Sequence, residues 1–213
     1  MMTETPKVFV IDDELSVRKS LERLLDAANY KVELFKSATE FLSRSPYPGP
    51  SCVIVDVQMP GLNGIDFQKA LVKCRREEQL IFITGHGNVP MCAEVMKAGA
   101  IDFLPKPFKG KELVASVERA LVRSAEQRYR TVEKNHARAL LDRLTPREFQ
   151  VMELVAQGML NKQIGGELGT AEKTVKCQRS QVMRKLGITS VAELIRLLGK
   201  AEVPSVIRPR TKV

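Results

Sequence analysis

The sequence predicts two folds in one chain: an α/β domain built on a five-stranded, doubly wound parallel sheet, and after it a small all-α domain. Three observations lead there. Apolar runs recur at 7–11, 31–35, 52–56, 80–84 and 101–105, separated by lengths that a right-handed crossover helix requires. Beyond residue 112 the apolar positions return about once per helical turn instead. A length of 213 residues also exceeds the usual single domain.

The elements follow in order. KVFVI (7–11) is a strand, and Val17, Leu21, Leu24, Leu25 and Ala28 then mark a helix. KVELF (31–35), CVIVD (52–56), LIFIT (80–84) and IDFLP (101–105) complete five strands. Most are continuously apolar rather than alternating, so the sheet is expected to be covered on both faces. From Glu112 to Leu141 there is little Gly or Pro, which reads as a last helix continuing into, or followed by, a helical connector; a flexible polar linker is the alternative. Leu144-Thr145-Pro146 resets the chain, with Thr145 as N-cap, Pro146 at the first helical position and Glu148 at the capping-box position. Four helices are predicted near 146–157, 161–168, 171–186 and 190–199. Gly165 and Gly166 are expected to loosen the second of these by about 1 kcal/mol each. The divisions are then 1–123, a connector 124–143, a helical domain 144–200 and a disordered tail 201–213 containing Pro204 and Pro209.

Composition narrows the function. With 44% hydrophobic and 28% charged residues the chain is neither disordered nor fibrous. No run reaches the roughly 18 apolar residues of a membrane span, and Met1–Lys7 carries no apolar signal core, so a cytoplasmic protein without a membrane partner is expected. Cys52, Cys74, Cys92 and Cys177 lack any C-x-x-C pairing, which points to reduced thiols rather than a zinc site or disulfides. The net charge of +9 is uneven: residues 1–123 hold 17 Lys and Arg against 16 Asp and Glu, whereas residues 143–213 hold 13 against 6. Concentrated positive charge in the last third fits a nucleic-acid contact.

Parallel sheets of this kind bind ligands beyond the carboxyl ends of their strands. Asp12 and Asp13 end the first strand, Asp56 the third and Thr84 the fourth, and the fifth runs into Lys106. One polar strand end is commonplace; five that converge on one rim are not. Clustered carboxylates stay ionised only when positive charge offsets them. Magnesium, which takes oxygen ligands and keeps open positions, answers that need and would admit a phosphoryl group. A hydroxyl and an ammonium would then balance charge during in-line transfer to a carboxylate.

The segments VIDDE (10–14), DVQMPGLNG (56–64), FITGHG (82–87) and MKAGAIDFLPKPF (96–108) resemble, in order and spacing, the receiver domain of two-component response regulators, a flavodoxin-like fold. The resemblance implies that Asp56 accepts phosphate from a sensor histidine kinase. It implies that Asp13, Asp56 and the backbone carbonyl of Gln58 ligate Mg2+, with Asp12 acting largely through water. Thr84 and Lys106 would hold the phosphoryl oxygens, and Phe103 would follow Thr84 as the switch that reports phosphorylation. Lys106-Pro107 resembles the family's cis peptide. His86 is read as a loop histidine and not a phosphohistidine, and His136 as exposed.

Residues 144–195 resemble the LuxR-type helix-turn-helix of the NarL/FixJ class, through L-T-x-R-E, G-x-x-N-K-x-I, T-V-K and K-L-G-I. On helix 171–186, Val175, Val182 and Leu186 share one face and leave Lys176, Arg179, Ser180 and Met183 on the other. The resemblance implies that Lys176, Cys177 and Ser180 face the major groove of double-stranded DNA, with Thr174 and Arg179 nearer phosphates. Lys173 and Lys185 complete the expected contacts. Gln178 and Gln181 depart from the family's common His and Asn, which leaves base preference open.

The whole therefore reads as a phosphorylation-controlled transcription regulator that dimerises on phosphorylation and is no enzyme beyond its own phosphotransfer and autodephosphorylation. The alternative is a DNA-binding regulator whose pseudo-receiver never takes phosphate. A small-molecule phosphatase would need a substrate cap, for which the sequence has no insertion.

Overall fold

The computed structural model describes residues 4–85 and 89–203, so His86 and the tail beyond Val203 lie outside the described residues. The chain divides into two compact units, Met1–Arg128 and Tyr129–Val213.

In the first unit β1 (Lys7–Ile11), β2 (Lys31–Phe35), β3 (Ser51–Asp56), β4 (Gln79–Thr84) and β5 (Asp102–Pro105) form one sheet in the order β2-β1-β3-β4-β5, every pair parallel. The helices are α1 (Leu15–Ala27), α2 (Ala38–Ser43), α3 (Gly64–Lys73), α4 (Val89–Lys97) and α5 (Gly110–Leu141). One face of the sheet packs Val8, Val10, Ile54 and Ile81 against Leu21, Leu25, Leu113 and Val117 of α1 and α5. The other packs Phe9, Val53, Val55 and Phe82 against Phe41, Phe67, Leu71 and Val95 of α2, α3 and α4. Two covered faces explain why β3 and β4 are buried at every position.

Both of those strands start one residue before their apolar runs, at Ser51 and Gln79, and α5 accounts for it. Ser51 N–H donates to Ser124 Oγ at 3.0 Å and Gln79 Nε2 to Gln127 Oε1 at 3.0 Å, so the polar starts are buried with partners. β5 begins at Asp102 rather than Ile101.

The second unit holds the rest of α5 with α6 (Pro146–Ala156), α7 (Asn161–Glu167), α8 (Glu172–Leu186) and α9 (Val191–Ala201). Ala137 and Leu141 of α5 join Val151, Met152, Ile164, Val175, Val182, Leu186, Leu194 and Leu198 in one core. Glu133 pairs with Lys200 and Lys134 with Glu202, and Arg138 Nε donates to Ala201 O at 3.1 Å. α5 is thus a single helix of 32 residues, which resolves the open choice between a continuous helix and a separate connector. His136 is exposed on it.

Thr145 caps α6 with Pro146 in its first turn, and Glu148 closes the capping box as the spacing predicts. At Gly165 a Cβ would stand 2.8 Å from the backbone oxygen of Thr170, whereas at Gly166 it would meet nothing. The first glycine is a packing requirement of the α7–α8 turn; the second is not. Among the described residues no helix is long and apolar enough to cross a membrane.

Candidate functional site

The carboxyl ends of β1 and β3 lie side by side where the strand order reverses, which is the ligand position of an open α/β sheet. Buried Asp12 and Asp56 stand there, joined by one ammonium: Lys106 Nζ is 2.6 Å from Asp56 Oδ2 and 3.1 Å from Asp12 Oδ2. Each carboxylate uses its other oxygen to accept a main-chain N–H, Asp12 Oδ1 from Glu14 at 2.8 Å and Asp56 Oδ1 from Gln58 at 2.9 Å. Thr84 is buried at the end of β4, and its carbonyl accepts the Lys106 N–H at 2.7 Å, which fixes the root of the lysine. The Lys106–Pro107 peptide is cis, as the resemblance implies.

Asp13 and Gln58 are exposed beside this group. Gly64, at the start of α3, packs so tightly on β3 that a Cβ would fall 2.8 Å from Asp56 O and 3.1 Å from the Phe82 ring. Phe103 is half-buried and paired with Phe82 across β4 and β5, packed on the core face that holds α3 and α4. Its neighbour Asp102 is bonded to Ser116 Oγ at 2.5 Å and Arg119 Nη2 at 2.6 Å.

Burial raises the Asp12 carboxyl above its ordinary value, against the lowering by the Glu14 N–H and Lys106. For Lys106 burial acts downward, but the hydrogen bond to Asp56 and the charge of Asp12 outweigh it and leave the ammonium raised. The two partners look inconsistent, because an ion pair alone would lower the acid. Asp12 is nearly inaccessible whereas Lys106 keeps some solvent, so desolvation dominates only at the carboxylate. The rim therefore brings two buried carboxylates to one lysine, with the exposed Asp13 carboxylate and the Gln58 carbonyl on the adjoining residues. That donor set fits a hard divalent cation. Among the described residues no three His, Cys, Asp or Glu side chains gather to hold a metal by themselves.

In the second unit Lys173, Lys176, Cys177 and Ser180 line one shallow open surface of α8 together with Gln181 and Arg184. Thr174 is exposed nearby. The remaining two expected contacts are engaged within the unit. Arg179 Nη1 donates to Asn161 Oδ1 of α7 at 3.2 Å, and Lys185 Nζ is 2.6 Å from Glu148 Oε2 of α6. Met183 is half-buried rather than on the open face. Arg184 was missed, although it continues the face four residues beyond Ser180.

Two family models match: "Response regulator receiver domain" over residues 8–118 and "Bacterial regulatory proteins, luxR family" over residues 142–198. The chain is 43% identical over 190 residues to Nodulation protein W of Bradyrhizobium diazoefficiens, covering 89% of this chain and 84% of that protein. It is 38% identical over 200 residues to the transcriptional regulatory protein FixJ of the same organism, covering 94% and 98%. Among solved structures it is similar to the response regulator StyR, with a TM-score of 0.82 and 43% identity over 92% of this chain and 99% of that one. The chain belongs to the response regulators of the NarL/FixJ class, two-component transcriptional regulators that carry a receiver domain and a LuxR-type DNA-binding domain.

Proposed function

We propose that Asp56 is the phosphoacceptor of this regulator and that its phosphorylation controls binding of α8 to duplex DNA. The observation that carries the reading is the single Lys106 ammonium bonded to both Asp12 and Asp56 at the sheet's switch point. A sensor histidine kinase presents a phosphohistidine; the bond from phosphorus to nitrogen breaks as one to an Asp56 oxygen forms, and the freed imidazole takes a proton from solvent. The Gln58 N–H orients the Asp56 carboxylate for that attack. Lys106 then follows the new charge onto a phosphoryl oxygen, and the Thr84 hydroxyl donates to another. Mg2+ held by Asp13, Asp56 and the Gln58 carbonyl, with Asp12 acting largely through water, would offset the charge on the phosphoryl oxygens.

Movement of Thr84 toward the phosphoryl group leaves space for Phe103, whose ring sits at the edge of the core and changes the surface made by α4, β5 and α5. Residues 1–123 act as the receiver, 124–143 as connector and 144–200 as reader, in a cytoplasmic protein that pairs with a second copy on phosphorylation and binds paired half-sites. In the reader Lys173, Lys176, Cys177 and Ser180 meet the groove with Gln181 and Arg184, Thr174 approaches phosphate, and Arg179 and Lys185 act mainly by holding α8 to α7 and α6.

Treatment of the full chain with a small phosphodonor and magnesium tests the acceptor. Intact-mass measurement is expected to find one added phosphoryl group on the wild type and none on Asp56→Asn; an equal gain on both would contradict the assignment.

A further inference from the structure

Arg18, half-buried on α1, turns back over the β1–α1 turn. Its Nη1 donates to the backbone carbonyl of Asp12 at 2.5 Å and to that of Asp13 at 2.9 Å. Both hydrogen bonds go to main-chain oxygen, although two carboxylates stand on the same residues. A guanidinium spent in this way fixes where the peptides point, and the peptides fix where the side chains leave the chain.

The consequence differs for the two aspartates. Asp12 is anchored at all three of its oxygens: its carbonyl by Arg18, Oδ1 by the Glu14 N–H and Oδ2 by Lys106. Asp13 is exposed, and its anchor is the carbonyl bond to Arg18. Only three residues separate Ile11 at the end of β1 from Leu15 at the start of α1, so this clamp governs most of the turn.

We propose that Arg18 is a positioning residue that preorganises Asp12 and Asp13 to receive a divalent cation. The inference rests on the reading of this rim as a magnesium site. Partners that orient metal ligands without touching the metal typically change metal affinity by about 10- to 100-fold when removed. Arg18 meets that description through the main chain rather than through a side-chain hydrogen bond.

Magnesium chloride titrated into the full chain, followed by backbone amide shifts of the β1–α1 turn, tests it. Arg18→Met keeps the apolar stem and removes the donors; it is expected to raise half-saturation at least about tenfold, with Arg18→Lys falling between it and the wild type. At saturating magnesium the phosphorylation rate of Arg18→Met should approach that of the wild type, a split that a general loss of fold would not produce. If Arg18→Met folds poorly, Arg18→Gln carries the same comparison. Unchanged half-saturation in a folded variant would overturn the inference while leaving the magnesium site intact. Failure of the wild type to bind magnesium would overturn both.

Discussion

Glu148 shows how one side chain serves two levels of structure. Its carboxylate accepts the Thr145 N–H at 2.8 Å to close the cap of α6 and takes Lys185 from α8 at 2.6 Å. The Lys185 hydrogen bond foremost, and the Thr145 N–H after it, hold its carboxyl below the ordinary value of 4.5. A lowered native pKa contributes stability that is fully present above 4.5 and is lost as pH falls through the native value. Glu148→Gln should therefore cost the second unit about 1–2 kcal/mol at neutral pH and flatten its acid limb, read by amide exchange in α6 and α8 of the full chain. The capping box was legible because its spacing is local. The ion pair was not, because its partners lie 37 residues apart and only the packed unit brings them together. The same holds in the receiver. Asp12, Asp56 and Lys106 were legible because apolar runs stop at them, whereas Arg18 sits in an amphipathic helix and nothing in the sequence points it at the turn.

Among the elements, α7 and α8 separate sequence pattern from tertiary demand. Two adjacent glycines look equivalent in sequence, and the helical propensity argument treats them alike. Their surroundings differ: Gly165→Ala drives a Cβ into the Thr170 carbonyl and should destabilise, whereas Gly166→Ala faces open space and should stabilise by up to about 1 kcal/mol. Denaturant unfolding followed by helical circular dichroism distinguishes the pair. On α8 the period of 3.6 correctly separated Val175, Val182 and Leu186 from the polar face, but it could not show which polar residues are already engaged. Lys176→Ala and Arg184→Ala are each expected to weaken DNA binding by about 1–3 kcal/mol with less change in salt slope than loss of a phosphate contact gives, while Lys185→Ala should act more on stability than on affinity. Fluorescence anisotropy with a short duplex across a salt series measures both.

For the whole molecule, the division of charge anticipated the division of labour. A receiver nearly balanced in charge carries the buried acid rim, and the basic excess sits with the helical reader. The five parallel strands were legible as spaced apolar runs, but their order was not, and the stretch poor in glycine and proline left a continuous α5 and a separate connector both open until the packed structure decided between them. Coupling between the phosphoryl site and DNA is the claim on which the account turns. It is tested most directly by titrating a DNA library of random sites with the full chain, with and without a small phosphodonor and magnesium, for the wild type and Asp56→Asn. The phosphodonor is expected to tighten wild-type binding by roughly 5- to 150-fold, the usual span of a coupling of about 1–3 kcal/mol, and to leave Asp56→Asn unchanged. Equal wild-type affinity in both conditions would contradict it and make the receiver a passive domain.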